Sequence, residues 1–467
     1  MFFENFKKFG NHIALIDEDG REKTYNELDE ITDKVGSVLE KRALAFVYCE
    51  NDSESVCSYV SCLKNGVVPL LIHRDIDEEL SQRLISIYKP RYFFVPKDIE
   101  ENKVYGETVF EYEKYKVLKT DNEIYPLNDS LCLLLCTSGS VGSPKLVRQS
   151  FVNVQSNADA IKTYLSLDEN ERPITTLPMN YTYGLSIINS HLTAGATILM
   201  AKSTVVSKFF WDFFKAKEAT SFGGVSFTYE MLKRIKFFRM ELPSLKTMTQ
   251  SGSKITEELF SEFAQWAEAN GKRFVAMYGQ TEATSRMTYL DPALATEKVC
   301  SIGKAIPGGR LALTDTDGNE ITEAEATGEL IYYGDNVTLG YAECAEDLVK
   351  DDERNGRLAT GDIARRDQDG FYYIVGRIKR FLKLYGNRVN LDEIDRLVKS
   401  HFDVDSASVG TDSKCITYVT DESILNDVEK FLAHKTNLNS NAFKAVYIKE
   451  IPKNASGKVL FSQLSNV

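Results

Sequence analysis

Runs of strand-forming apolar residues alternate with helical periodicity from residue 45 to residue 269, and this alternation constrains the fold more than anything else in the chain. Residues 45–49 (AFVYC) form a β-prone run. Val56, Tyr59, Val60 and Leu63 then recur at i, i+3, i+4 and i+7, with Asn51 or Ser53 able to cap that helix and Gly66 to end it. Residues 67–72 read as a second buried strand, 77–88 as a helix and 91–95 (RYFFV) as a third strand. The pattern resumes with strands at 131–136, 174–177, 196–201, 221–225 and 247–250, separated by helices near 150–164, 184–193, 229–237 and 257–269. Strands that are apolar on both faces and alternate with helices build parallel sheets covered on both sides, with right-handed crossovers. The expected class is α/β, with a large N-terminal domain of doubly wound α/β subdomains.

From 300 to 375 the chain changes to short β runs broken by Gly and Asp, such as GELIYYG and GFYYIVG, which predict a small β-barrel-like region. After Gly376 a polar connector, RIKRFLK, precedes a tail with its own apolar pattern. A helix there carries Ile394, Leu397, Val398 and Phe402; strands are expected at 406–409, 415–419 and 444–448, and a second helix at 424–434. A single core rarely grows beyond about 300 residues. The expected division is therefore 1–377 and 378–467, the second a small α+β domain.

The formal net charge of −12 is unsuited to a nucleic-acid surface. Eight cysteines without a CxxC pair, several of them in apolar runs, read as reduced core residues. The start, MFFENFKKFG, has charges where a signal peptide needs an apolar core, and no apolar run approaches the roughly 18 residues of a membrane span. A cytoplasmic protein without membrane insertion is expected.

The segment Thr137-Ser-Gly-Ser-Val-Gly-Ser-Pro-Lys145 is a hydroxyl- and glycine-rich loop between a buried strand and a helix. Backbone amides freed by Gly139 and Gly142, the hydroxyls of Thr137, Ser138 and Ser140, and the Lys145 ammonium make a cradle for phosphate oxygens. A Ser/Gly/Pro surface loop is the plainer alternative. It is not a Walker loop, because Ser143 and Pro144 stand between glycine and lysine. Tyr278-Gly-Gln-Thr-Glu282 offers a flat ring for a base, a tight turn at Gly279, a hydroxyl for a phosphate and a hard carboxylate suited to Mg2+, or else a capped helix start. Asp362 can accept hydrogen bonds from two vicinal hydroxyls, or serve as a turn aspartate. Lys458, in PKNASGK, is one cation on a glycine-bearing loop and by itself reads as solvent-exposed.

In order and spacing these blocks resemble the adenylate-forming (AMP-binding) superfamily of acyl-CoA synthetases, peptide-synthetase adenylation domains and luciferases. The resemblance runs from KTYNELDE, near residue 23, and CLKNGVVPL, 62–70, to the last ten residues. It implies an ATP-dependent carboxylate ligase. The acid attacks the α-phosphorus, pyrophosphate leaves, and a thiol of CoA or of carrier-protein phosphopantetheine displaces AMP from the acyl-adenylate. ATP and Mg2+ are the implied cofactors and a small carboxylic acid the substrate; a carrier protein would act in trans.

The resemblance also implies roles. The 137–145 loop holds phosphates. Adenine packs against Tyr278 beside Gly279 and Gln280, near Ser251, Gly252 and Ser253, which also match a segment of the acyl pocket; Thr281 meets the α-phosphate, Glu282 the metal, Asp362 the ribose, and Arg377 the ribose or phosphate. Lys458 neutralises carboxylate and phosphate during attack, so catalysis falls to Lys458, Glu282 and Thr281. Residues 177–185 (LPMNYTYGL), with Tyr181 where many relatives carry histidine, and Gly223, Gly224 and Val225 match the acyl pocket, with core packing as the alternative. No aspartate occurs in 177–185, which weakens an α-amino acid as substrate. Lys379 matches the hinge about which a small mobile C-terminal lid swings, and Gly386 lies in the segment that then reaches the thiol tunnel. Leu146 and Phe461 depart from the pattern, which usually has glycine and often arginine there. Transfer to an amine or hydroxyl, a nucleotide-binding protein with a degenerate site, and a phosphate-loop NTPase are the alternatives.

Overall fold

The computed structural model describes residues 1–100, 103–136, 145–384, 387–411, 413–436, 438–453 and 459–464. These divide into two units: residues 1–136, 145–311 and 332–358 form one, and residues 312–331 and 359–464 the other.

The first unit holds two large sheets. In the nine-stranded sheet the order is Lys304–Ala305, Arg286–Tyr289, Arg273–Gly279, Thr247–Gln250, Ser221–Gly224, Pro173–Ile174, Ile198–Met200, Ile13–Asp17 and Glu22–Thr24. The six strands from Arg273–Gly279 to Ile13–Asp17 are parallel, and the pairings outside them are antiparallel. The eight-stranded sheet runs Gly340–Ala342, Leu146–Ser150, Leu131–Cys136, Val68–His73, Leu44–Cys49, Tyr92–Pro96, Tyr115–Lys119 and Glu107–Tyr112, with a parallel centre from Leu131–Cys136 to Tyr92–Pro96.

The alternating pleat explains why the central strands read as unbroken apolar runs. Ala45, Val47 and Cys49 enter one core, whereas Leu44, Phe46 and Tyr48 enter another on the opposite face. The first core also takes in Met179, Leu185, Ile188 and Leu192 and reaches Ile198 and Met200 of the other sheet. Helix Ser53–Lys64, buried at every position but its last, lies in that shared core, as expected of a helix without a solvent face.

Several local expectations change. The helix after residue 50 is capped by Asp52, whose carboxylate accepts from the Ser55 amide, rather than by Asn51 or Ser53. The run at 174–177 is strand only over Pro173–Ile174, because Pro178 and the turn at Tyr181 draw the chain out of the sheet. The helix expected at 229–237 is Ser226–Arg234 and stops at Lys236, which takes φ +60°. Leu146–Ser150 is an unforeseen strand: Arg148 interrupts its apolar pattern yet is fully buried. Arg148 Nε donates to Tyr341 O at 3.0 Å, and its Nη2 reaches Leu339 O at 3.1 Å and Glu353 Oε2 at 2.7 Å. This arginine clamps Gly340–Ala342 onto the edge of the eight-stranded sheet, with Tyr341 opposite Val147.

The second unit contains most of a four-stranded sheet in the order Arg310–Thr314, Ala326–Tyr333, Arg357–Arg366, Tyr372–Arg377. Its tail has strand Lys414–Val419 between Ser406–Thr411, antiparallel, and Phe443–Tyr447, parallel. Helices Leu391–Phe402 and Leu425–Thr436 contribute Ile394, Val398, Val428 and Leu432 to one core with these strands. All eight cysteines are free, and no helix among the described residues is long and apolar enough to cross a membrane.

Candidate active site

Four adjacent parallel strands end in four of the blocks singled out from sequence. Pro173–Ile174 leads to 177–185, Ser221–Gly224 ends in Gly223 and Gly224 ahead of Val225, Thr247–Gln250 leads to Ser251, Gly252 and Ser253, and Arg273–Gly279 ends in Tyr278 and Gly279. Parallel α/β sheets bind ligands outside the carboxyl ends of their strands, so strand order gathers stretches that lie far apart in sequence. Cross-ties fix them: the Ser251 amide donates to Gly224 O at 3.2 Å, the Ser226 amide to Ser253 Oγ at 3.0 Å, and Gln250 Nε2 to Ser253 O at 2.8 Å.

Two glycines are obligatory here. Gly252 has φ +83°, and a Cβ on it would lie 2.4 Å from Tyr181 Oη and 3.2 Å from Val225 Cγ1. Tyr181 thus spans the floor formed by Gly252 and Val225, its phenol held neutral by burial, which pushes it up to about 12. A Cβ on Gly279 would lie 1.7 Å from Ser285 O, because the chain doubles back there into strand Arg286–Tyr289. Residues 280–284 are therefore a strand end followed by one 3-10 turn, Thr281–Ala283, and not a capped helix start: no side chain caps it, and Thr284 takes φ +63°. Gln280 Nε2 contacts Tyr278 Oη at 3.1 Å.

Glu282 and Lys145 share a neighbour that sequence reasoning passed over. Tyr341 Oη donates to Glu282 Oε1 at 2.7 Å, and the Lys145 ammonium lies 5.0 Å from the centre of the Tyr341 ring. The Arg354 guanidinium lies 4.6 Å from that ring and donates to Glu282 O at 3.1 Å, an oxygen also bonded by the Thr338 amide and hydroxyl, each at 3.0 Å. Burial, and then the Glu282 charge, push the Tyr341 phenol up to about 12, so it stays a donor. Lys145 also pairs with Glu343 Oε1 at 2.9 Å. Both partners are about half exposed, and such a pair is worth at most about 1 kcal/mol, so phosphate oxygens can displace it.

In the second unit Asp362 is buried opposite Arg377, whose Nε donates to Asp362 Oδ1 at 2.8 Å; the Asp362 amide bonds Thr360 Oγ1 at 3.1 Å. Lys379 falls in the 3-10 turn Ile378–Arg380. Phe461 lies under the Arg380 guanidinium, 3.8 Å from the ring centre. Thr137, Ser138, Gly139, Ser140, Gly142, Gly386 and Lys458 lie outside the described residues.

The family model for AMP-binding enzymes matches residues 2–342. The chain belongs to the AMP-binding enzyme family. Among curated AMP-binding relatives, the oxalate–CoA ligase of Arabidopsis thaliana is 30% identical over 366 residues, 73% of this chain and 68% of its own length. The 2-succinylbenzoate–CoA ligase of Bacillus pumilus is 25% identical over 467 residues, 96% of this chain and 93% of its own. The o-succinylbenzoate CoA synthetase of Bacillus subtilis, solved with an acyl-adenylate intermediate, superposes with a TM-score of 0.83 at 21% identity, covering 100% of this chain and 98% of that one. The likeness at that identity is one of fold.

For an AMP-binding enzyme the donor set suits Mg2+. A magnesium ion bound through nucleotide phosphates keeps much of its water and needs one or two protein carboxylates. Glu282 could supply one, its carboxylate held by the Tyr341 hydroxyl. The sequence signal for Tyr341 is slight: a Gly-Tyr pair in a tyrosine-rich β stretch, with Gly340 at φ +129°.

Proposed function

We propose that this AMP-binding enzyme is an acyl-CoA synthetase: an ATP-dependent ligase that converts a small carboxylic acid to its acyl-adenylate, releases pyrophosphate, and passes the acyl group to CoA. The observation that supports the reading is that Lys145 and Glu282 both contact Tyr341, one at its ring and the other at its hydroxyl, as a phosphate-loop cation and a metal-binding carboxylate of one site would. CoA is preferred to a carrier protein because the curated relatives are CoA ligases.

Within this reading Lys145 and the 137–142 loop steady the β- and γ-phosphates. Tyr278, Gly279 and Gln280, with Ser251 to Ser253, receive adenine, and Thr281 orients the α-phosphate. Glu282 holds Mg2+, which when bound offsets charge on the departing pyrophosphate. Asp362 and Arg377 bind ribose hydroxyls, Lys458 draws the acid oxygen to phosphorus, and Lys379 and Gly386 serve the thiol step as hinge and tunnel. Tyr181 and Gly223, Gly224 and Val225 line the acid pocket. We place the enzyme in the cytoplasm and its domain boundary at 378.

The test is a panel of acids with ATP, Mg2+ and CoA. Release of AMP and pyrophosphate with a thioester product supports the ligase. Release of ADP and phosphate refutes it.

A further inference from the structure

This inference rests on the ligase reading and names the class of acid. Among the described residues two arginines are fully buried, Arg148 and Arg286. Arg148 faces the Glu353 carboxylate at 2.7 Å, and the nearly buried Arg380 meets Asp392 at 2.7 Å and Asp395 at 2.6 Å. Arg286, 1% exposed, has only neutral partners among the described residues. Its Nε donates to Ser186 Oγ at 3.0 Å, its Nη1 reaches Tyr164 Oη at 3.1 Å and Met277 Sδ at 3.4 Å, and its guanidinium lies 5.1 Å from the centre of the Tyr183 ring. Buried charges in folded proteins are paired, since an ion withdrawn from water without a counter-ion is costly.

The same guanidinium lines a small cavity with His191, Ile187, Phe222, Gly223 and Thr249. Gly223, proposed above for the acid pocket, thus lines the same cavity as Arg286. His191 Nδ1 lies 2.8 Å from Ile187 O; because a carbonyl only accepts, Nδ1 carries the proton. His191 Nε2 is buried without a partner, the ring being 3% exposed. Glu171, the carboxylate on this cavity, is engaged by Lys246 at 3.1 Å and Thr220 at 2.5 Å.

We propose that Arg286 receives a second carboxylate of the substrate, so that the enzyme activates one end of a compact dicarboxylic acid. The apolar walls at Ile187 and Phe222 cover the carbons between the two ends, and the distal carboxylate supplies the missing counter-ion. A monocarboxylic acid leaves the guanidinium unpaired and loses that binding energy before chemistry begins.

The experiment compares short dicarboxylic acids, malonic to adipic, with their monomethyl esters, using pyrophosphate release by the full chain and by Arg286→Met and Arg286→Lys. In the parent the best diacid should exceed its monoester by about 100-fold or more in kcat/KM. Arg286→Met should lower that ratio by at least about tenfold, mainly through KM, with Arg286→Lys between them. Equal use of diacid and monoester by the parent overturns the proposal without any variant, as does an unchanged ratio in a folded Arg286→Met. AMP release with monocarboxylic acids alone keeps the ligase reading and removes this one. If no acid yields AMP, the ligase reading falls, and melting temperature decides here: a rise with diacid in the parent that is lost in Arg286→Met supports the site, whereas equal rises refute it.

Discussion

Replacing Tyr341 by Phe deletes one oxygen and keeps the ring against which Lys145 and Arg354 pack. The lost hydroxyl donates to the Glu282 carboxylate at 2.7 Å. A hydrogen bond to a charged group contributes about 1.5–3 kcal/mol, and Glu282 is only partly buried, so the lower end, about 1.5 kcal/mol, applies. At 1.36 kcal/mol per decade this predicts a loss of about tenfold in kcat/KM for MgATP. The loss should appear as a higher Mg2+ requirement, because the phenol holds the carboxylate proposed to bind the metal. Initial rates of pyrophosphate release across a Mg2+ titration measure it. In a Glu282→Gln background the same Tyr341→Phe change should cost no more than about twofold, since the charge it serves is gone. A tenfold effect in both backgrounds, or a change below twofold in the parent, would refute the coupling.

Gly279→Ala should destabilise the chain by about 3 kcal/mol or more, because its Cβ meets backbone at 1.7 Å and neither strand can yield; denaturant midpoints check this. His191 is held neutral by burial, which lowers it to about 4 against 6.5 in the unfolded chain. Its contribution is thus complete above pH 6.5 and lost as pH falls through 4, about 3 kcal/mol in all. Unfolding free energies at pH 7 and pH 4.5 should fall less in His191→Gln than in the parent. Lys458→Ala should abolish acyl-adenylate formation and keep AMP binding; an unchanged first-step rate would remove Lys458 from the reaction.

The parallel cores were legible because their strands carry apolar residues on both faces: 131–136 and 247–250 are placed to the residue. Leu146–Ser150 was not, since a buried arginine in a five-residue strand has no periodic signature and is accounted for only by partners some 190–205 residues further on, carbonyls near 340 and the Glu353 carboxylate. The same contrast holds at the site. Glu282 stands in a block whose residue types announce phosphate and metal chemistry. Tyr341 and Arg286 do not, because their roles depend on what strand pairing sets next to them.

The late pairing of Gly340–Ala342 with Leu146–Ser150 has a consequence for biosynthesis. On the ribosome the outer strand of the eight-stranded sheet must wait, with an open hydrogen-bonding edge and an unsatisfied Arg148, until residue 342 has emerged. Unpaired edges recruit other chains. Nascent fragments that end between these two strands should be the species most dependent on chaperones and the first to aggregate when translation stalls.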